Sequence, residues 1–516
     1  MSWDYQRSLQ RIQQHLNNMG GIEVAKLTRE ADLEQLLTET NCRDIYGAHV
    51  YVNISNFARL AAETDGYYAK DDYKRLIQGV HIYQRAVTHI VEGFGGLFVH
   101  FQGPKLHALY YRPIENSKEL AAHAVLLQLV IKDFVQNVFN PAFPHYQNFA
   151  IAGGADLGSV IGTSNGINGD RELLFLGAPA NYAAKIIDTA GHLRLTQRIY
   201  DALSNDLKRI CADVGGGLYQ VIPIKSADLD ALLKAHGLIW RRDVSARNIE
   251  DDKRRFPLKD IAYSSAEVPI DLDALSITNN KRVLATSIFA DVSGFTKYID
   301  AAQSAPEKIT ALRVLHAVRK ELARVIKYDF GGLRIQYQGD RVQGLFHLPQ
   351  DNEAAIAKKV VETAVGLQSS MEQTLKACLP EASTLRLAVG VDMGITLVSK
   401  LGARGQRDRI CLGEAVEDAA RYEEHCTGGQ IGVSKRIHDA LPDCLRNHFT
   451  YSIAAQCFVA TDLTVDKVER ATQGVQRYQG GGPVYIQTGA AGVRISSQEL
   501  PNARSVIPPR PHASEA

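Results

Sequence analysis

Nothing in this 516-residue sequence offers a membrane anchor, an export signal or a strong net charge. No apolar run approaches the roughly 20 residues needed to cross a bilayer. The N-terminus, MSWDYQRSLQRIQQHL, lacks the apolar core of a signal peptide, so the expected location is cytoplasmic. Lys and Arg number 58 against 57 Asp and Glu, leaving a net charge of +1 and no global field to draw in nucleic acid. The seven cysteines are scattered, odd in number and never spaced as C-x-x-C, which argues for a reducing compartment and against a disulfide framework or zinc site.

What the sequence does hold is a repeat. GGLFVHFQG at 95–103 returns as GGLRIQYQG at 331–339, an offset of 236 residues. Gly154, Gly158 and Gly177 return as Gly390, Gly394 and Gly413 at the same offset, and YVNISNFARL returns as FADVSGFTKYI two residues further on. The chain is therefore expected to contain one domain twice, over 46–225 and 282–490. A helical segment is expected over 1–45, with Thr28 as an N-cap. A charged linker is expected over 226–281 and a Pro-rich disordered tail over 491–516. Each copy reads as a strand, helices, two short strands about a tight turn, a long helix and a further strand. That is an α+β domain with a mainly antiparallel sheet and helices on its faces.

The copies differ where chemistry is expected. Asp291 ends a strand just before a helix, and Asp340 occupies the QGDR turn of a hairpin. Two carboxylates on neighbouring loops at one sheet end are hard oxygen ligands for Mg²⁺ or Mn²⁺. The backbone amides of Val292, Ser293, Gly294 and Phe295 open a helix and present an anion cradle. Asp would also serve as a plain cap and turn residue, but the first copy has Asn53 and Pro104 there, so the scaffold does not require acids. Paired retention in one copy points to a shared ligand, a nucleoside triphosphate with two metal ions.

FADVSGFTKYI, YQGDRVQGLF and the G-x-x-V/A-N-x-A-A-R/K element resemble motifs of the class III nucleotidyl cyclases, and the resemblance covers both repeats. It implies ferredoxin-like domains paired head to tail, here as an intrachain pseudo-heterodimer or a domain-swapped dimer, with active sites at their interface. The metal ligands would be Asp291, Asp340 and the Val292 carbonyl. The family's asparagine falls on Asn181 in the first copy and Glu417 in the second, and its arginine on Lys185 and Arg421. The copies have degenerated in opposite directions, so one interface site is complete and the other is dead. The implied reaction is attack of the ribose 3′-hydroxyl on the α-phosphorus with loss of pyrophosphate. Asn181 would orient the ribose, Lys185 would offset charge at the α-phosphate, and Arg341 would grip phosphates.

Base selection reads less conventionally. Positions that read purines in this family fall on His100 and Leu174, which match neither the adenine nor the guanine pattern. That gap and the GDR turn resemble the bacterial pyrimidine cyclases of the Pycsar anti-phage systems. The resemblance implies UTP as the favoured substrate, cyclic UMP as a second messenger, and a separate cyclic-nucleotide-responsive effector. Phe289, two residues before Asp291, would lie beside the nucleotide. The alternatives are a cytidylate cyclase, an adenylate or guanylate cyclase with an atypical base pocket, and a non-catalytic nucleotide sensor.

Overall fold

The computed structural model describes residues 2–63, 70–144, 148–165 and 172–470; the tail predicted for 491–516 and residues 471–490 lie outside the described residues. Two nine-stranded sheets repeat one topology. In the N-terminal copy Leu97–Gln102, Lys105–Tyr110, Asn41–Ile54, Ile151–Asn165, Leu193–Thr196, Leu218–Val221 and Cys211–Gly215 lie side by side in that order. The C-terminal copy follows with Leu333–Gln338, Arg341–Phe346, Asn280–Ser293, Arg386–Ala403, Gln430–Val433, Cys457–Thr461 and Thr450–Ser452. Along each path the pairing is antiparallel except where Ile151–Asn165 meets Leu193–Thr196 and Arg386–Ala403 meets Gln430–Val433. This is the mainly antiparallel α+β domain expected from the sequence, present twice.

Helices cover the sheets. Ala305–Arg324 starts at a capping box: Ser304 accepts from the Glu307 amide, and the Glu307 carboxylate accepts from the Ser304 amide at 2.8 Å. Its apolar face packs into the core of the C-terminal copy, as Lys70–Gly93 does in the N-terminal one.

The repeated glycines explain how a shorter helix comes to lie on each central strand. A Cβ on Gly154 would sit 2.1 Å from the carbonyl oxygen of Ala183, and one on Gly390 the same 2.1 Å from that of Ala419. Only a bare backbone allows helix Ala178–Lys185, or Glu414–His425 in the second copy, to approach so closely. The helix that carries Asn181 and Lys185 is thereby fixed against its sheet.

The copies interlock within the chain. The long strands run past their own sheets as arms, each closed by a second strand, Glu172–Leu176 or Gln406–Leu412. Leu397, Leu401, Ile410 and Leu412 join the apolar core of the N-terminal copy, and Ile161, Leu174 and Leu176 join that of the C-terminal copy. At about 1.5–3 kcal/mol per buried aliphatic side chain, this exchange contributes on the order of 10 kcal/mol. The N-terminal helix Tyr5–Asn18 adds a strap across the C-terminal copy. Arg11 holds Asp329 at 2.7 Å, and the Ser8 hydroxyl donates to Glu321 at 2.8 Å.

Two local expectations differ from the structure. Thr28 does not cap a helix; the short helix Leu33–Leu36 is capped by Asp32, whose carboxylate accepts from the Glu34 amide at 3.0 Å. The preceding residues Glu23–Lys26 instead form an edge strand parallel to Asn41–Ile54. The 226–281 connector contains two helices, Ser226–Ala235 and Arg242–Arg255, and a strand, Tyr263–Ser264, that pairs with Asn280–Ser293. Its charges are used: Arg85 of the first copy makes a two-pronged pair with Asp252 at 2.8 and 3.0 Å.

One buried acid distinguishes the copies. Asp156 is fully buried but paired with Arg198, whose Nε lies 3.0 Å away. Its counterpart Asp392 lacks such a partner, because Arg436 bonds Glu353 at 2.6 Å instead, and burial pushes the Asp392 carboxyl up to about 6. A raised carboxyl binds its proton more tightly in the folded state, so stability falls as pH climbs from the ordinary carboxylate range through about 6. Asp392→Asn is expected to raise the melting temperature at pH 7.5 and to lose most of that gain at pH 4.5. The upper bound at neutral pH is on the order of 3 kcal/mol. Thermal melts at the two pH values check this.

Candidate active site

The site forms where strand Asn280–Ser293 ends beside the tip of hairpin Leu333–Phe346. Gln338 pairs with Arg341, leaving Gly339 and Asp340 as a two-residue turn, and Gly339 takes a φ of 72° that suits the first central position of such a turn. Ala290 pairs with Val342, which sets Asp291 next to that turn. The two carboxylates fall within each other's field: burial and the Asp291 charge push the Asp340 carboxyl well above the carboxylate range. Asp291 is raised too, chiefly by burial, while Arg341 and Lys185 pull it back.

That influence of Lys185 comes from the other copy. Helix Ala178–Lys185 packs against Phe295–Ala301, the helix that follows Asp291. The Ala178 amide donates to Asp300 at 2.9 Å, and Asn181 Nδ2 donates to the Thr296 hydroxyl at 3.0 Å. Asn181 is thus bonded to a residue only five positions along the chain from Asp291. Gly294 caps the helix with φ 90°, Ser293 is half-buried and Phe295 buried at the same turn, and Val292 is buried in the strand before it.

Arg341 is engaged within its own copy. Its guanidinium is tied to Glu423 at 2.7 Å and to the Ala420 carbonyl at 3.1 Å, and lies 4.4 Å over the Phe289 ring. It therefore anchors the hairpin to helix Glu414–His425, and it fixes Phe289 as a sheet residue beneath the turn. The sequence does not single out Glu423, which reads as an ordinary helix acid. Burial raises its carboxyl to about 8 against the pull of Arg341, with Asp291 adding to the rise. In the first copy the aligned residue is Ile187.

The base-reading positions lie on the first copy, near the body of the same hairpin. Leu174 is buried in the apolar core shared with helix Ala305–Arg324. His100 Nε2 lies 2.9 Å from Gln102 Nε2, and burial together with Arg319 drives its imidazole down to about 4. His100 stays neutral at physiological pH. A cavity of about 360 Å³ between the copies is lined by His100, Glu172, Gln336, Tyr337 and Asp408 among others. Gln336 lies four residues up the strand from Asp340, roughly 13 Å at about 3.3 Å per residue, a separation a nucleotide spans.

The opposite interface holds Lys105 and Glu417 within each other's field; burial lowers the ammonium and raises the carboxyl. Arg421 bonds Asp418 at 2.9 Å.

Comparison with known proteins agrees with this geometry. Residues 279–468 match the family described as adenylate and guanylate cyclase catalytic domain. A uridylate cyclase of Pseudomonas aeruginosa is 28% identical over 463 residues, covering 87% of this chain and 88% of that protein. A uridylate cyclase of a Rhizobium species is 26% identical over 498 residues, covering 88% and 94%. The crystal structure of a class III adenylyl cyclase-like ATP-binding protein from Pseudomonas aeruginosa superposes with a TM-score of 0.79 at 24% identity, over 91% of this chain and 99% of that one. Residues 279–468 thus carry the cyclase catalytic domain, and with both sheets repeating one topology, the acids on one copy and the asparagine helix of the other beside them, the whole chain resembles the class III nucleotidyl cyclases.

Proposed function

We propose that the protein converts UTP to 3′,5′-cyclic UMP and pyrophosphate at one interface site, and that the product acts as a second messenger in anti-phage defence through a separate effector. The observation that carries the single site is the convergence of Lys185 and Asn181 from one copy on the strand end and helix that bear Asp291 in the other. The names of the two long relatives support the pyrimidine substrate.

The donors suit a divalent cation. Desolvation raises the proton affinity of both half-buried carboxylates, and the Asp291 charge adds to the rise at Asp340, which marks an unmet demand for positive charge. Among the described residues no group of three or more His, Cys, Asp or Glu side chains is arranged to hold a metal ion. A pair of acids matches Mg²⁺ or Mn²⁺ sites completed by substrate phosphates. Asp291, Asp340 and the Val292 carbonyl would hold the ions, which when bound supply electrophilic charge at the triphosphate. Lys185 offsets charge gathering at the α-phosphate, although a lysine lacks the fork of an arginine. Asn181 exchanges Thr296 for the ribose and orients it toward the phosphorus. No side chain is assigned as general base; the 3′-hydroxyl proton leaves to solvent or to a phosphate oxygen.

Incubating the pure protein with Mn²⁺ and each of UTP, CTP, ATP and GTP tests the reading, with cyclic UMP as the expected main product; conversion of ATP alone rejects it. Asp291→Asn and Asn181→Ala are expected to lower turnover at least 100-fold. Asn53→Ala and Glu417→Ala, at the other interface, should stay within a few-fold of the parent.

A second prediction concerns the acid pair itself. Asp340→Asn removes a carboxylate whose ionisation desolvation and the Asp291 charge oppose, so the melting temperature in EDTA should rise, while the stabilisation that Mn²⁺ gives the parent should disappear. Thermal melts with and without Mn²⁺ read both effects.

A further inference from the structure

Arg319 is the largest fully buried side chain of the described protein, 1% exposed, in the middle of helix Ala305–Arg324. Its Nη2 crosses to the N-terminal copy and donates to Glu172 at 3.0 Å. Its guanidinium lies 4.0 Å over the Tyr337 ring, whose hydroxyl donates to the Arg319 carbonyl at 2.9 Å. Nε and Nη1 are buried and have no hydrogen-bond partner among the described residues. Unused donors on a buried cation are costly, and native structures rarely keep them without a reason. The helix does not need a cation here: the aligned residue of the first copy is Tyr83, packed against Phe101, Phe139 and Phe149.

The surroundings are those of the missing base reader. Glu172 and Tyr337, the two residues that hold the guanidinium, both line the 360 Å³ cavity between the copies, as does His100. Leu174 is two residues from Glu172 on one strand, hence on the same face. Its side chain has no polar atom, and His100 is engaged with Gln102. The field of Arg319 also reaches Asp340 at the catalytic turn.

We propose that Arg319 reads the pyrimidine, donating from its free nitrogens to the O4 carbonyl of uracil. The inference rests on the pyrimidine-cyclase reading above. A guanidinium has donors only. Uracil presents an acceptor at O4, where cytosine presents an amino group that would meet the guanidinium donor to donor. Guanine is the other base with a suitable carbonyl, and arginine grips it with a two-pronged edge on O6 and N7. Both two-pronged edges of a guanidinium include Nη2, and one of its two N–H groups is committed to Glu172, so at most one such edge stays open. Nε and Nη1 each keep an N–H free for a single acceptor such as O4.

The test compares kcat/KM for UTP, CTP and GTP with Mn²⁺ in the parent, Arg319→Gln, Arg319→Met and Glu172→Gln. Arg319→Gln, whose amide both donates and accepts, should lower the UTP-over-CTP ratio at least 10-fold, mainly through KM for UTP. Arg319→Met should do the same and replaces the glutamine variant if that one does not fold. Glu172→Gln removes the anchor but keeps the donors, so the ratio should stay within about 3-fold of the parent while the melting temperature falls. Equal loss for UTP and CTP in both Arg319 variants would overturn the proposal, leaving a phosphate or packing role. A parent enzyme that cyclises neither pyrimidine rejects the substrate reading itself, before any variant is made.

Discussion

Two half-buried carboxylates at the end of one sheet are the constraint that the rest of this molecule serves. Desolvation makes both Asp291 and Asp340 harder to ionise, the Asp291 charge adds to the effect at Asp340, and among the described residues neither has a cation of its own as close as an ion pair requires. Such a pair persists only where the backbone leaves it no alternative. Strand pairing fixes Asp291, a two-residue turn fixes Asp340, and Arg341 pins that turn to a helix through Glu423. Positive charge from outside the copy arrives on Lys185, carried by a helix of the other domain. The exchange of arms between the copies therefore bears directly on chemistry, because it sets where that lysine stands.

The repeat shows which features belong to the scaffold and which to the site. Glycines 154 and 390 are kept because each lets a helix rest on a strand with no room for a methyl group. Residues with no such duty have diverged in pairs. Glu172 reaches Arg319 and Arg334 of the second copy, whereas its counterpart Asp408 accepts from the Phe101 amide at 2.7 Å and is driven by burial up to about 7. Arg319 aligns with Tyr83, and Glu423 with Ile187. At these last two positions a charge on the acid-bearing copy is matched by an uncharged residue on the other.

Much of this is legible in the sequence because turns and close approaches leave local signatures. Gly339 before Asp340, the spaced glycines and the helix-opening turn after Asp291 can each be read within a few residues. The reach of Asn181 toward the acids follows from the resemblance and the opposed losses in the two copies. Arg319 and Glu423 leave no such mark. In LHAVRKELARV and RYEEHC they look like solvated helix charges, and what buries them is a chain segment more than 80 residues away or in the other copy. The ion pair of Arg341 leaves no local mark for the same reason: its partners lie about 80 residues further on. Thr28 is a plausible cap by local pattern, but pairing of Glu23–Lys26 with the sheet carries the backbone past it in an extended path.

The two interfaces also differ in what they ask of a ligand. At the degenerate one a cation from the hairpin, Lys105, and an anion from the helix, Glu417, lie within each other's field, so protein charges offset one another where metal and phosphate would otherwise sit. Burial still penalises both groups, yet their sum is near neutral and the pocket is tolerable without a guest. At the other interface Arg341, Lys185 and Arg319 act on the acids from some distance, yet both carboxyls stay above the carboxylate range, a deficit that divalent ions and their triphosphate would fill. The presence of Asn53 and Pro104 in place of acids, beside Lys105 and Glu417, thus changes the charge balance of that interface. It removes from one half of the molecule the electrostatic burden that Asp291 and Asp340 place on the other.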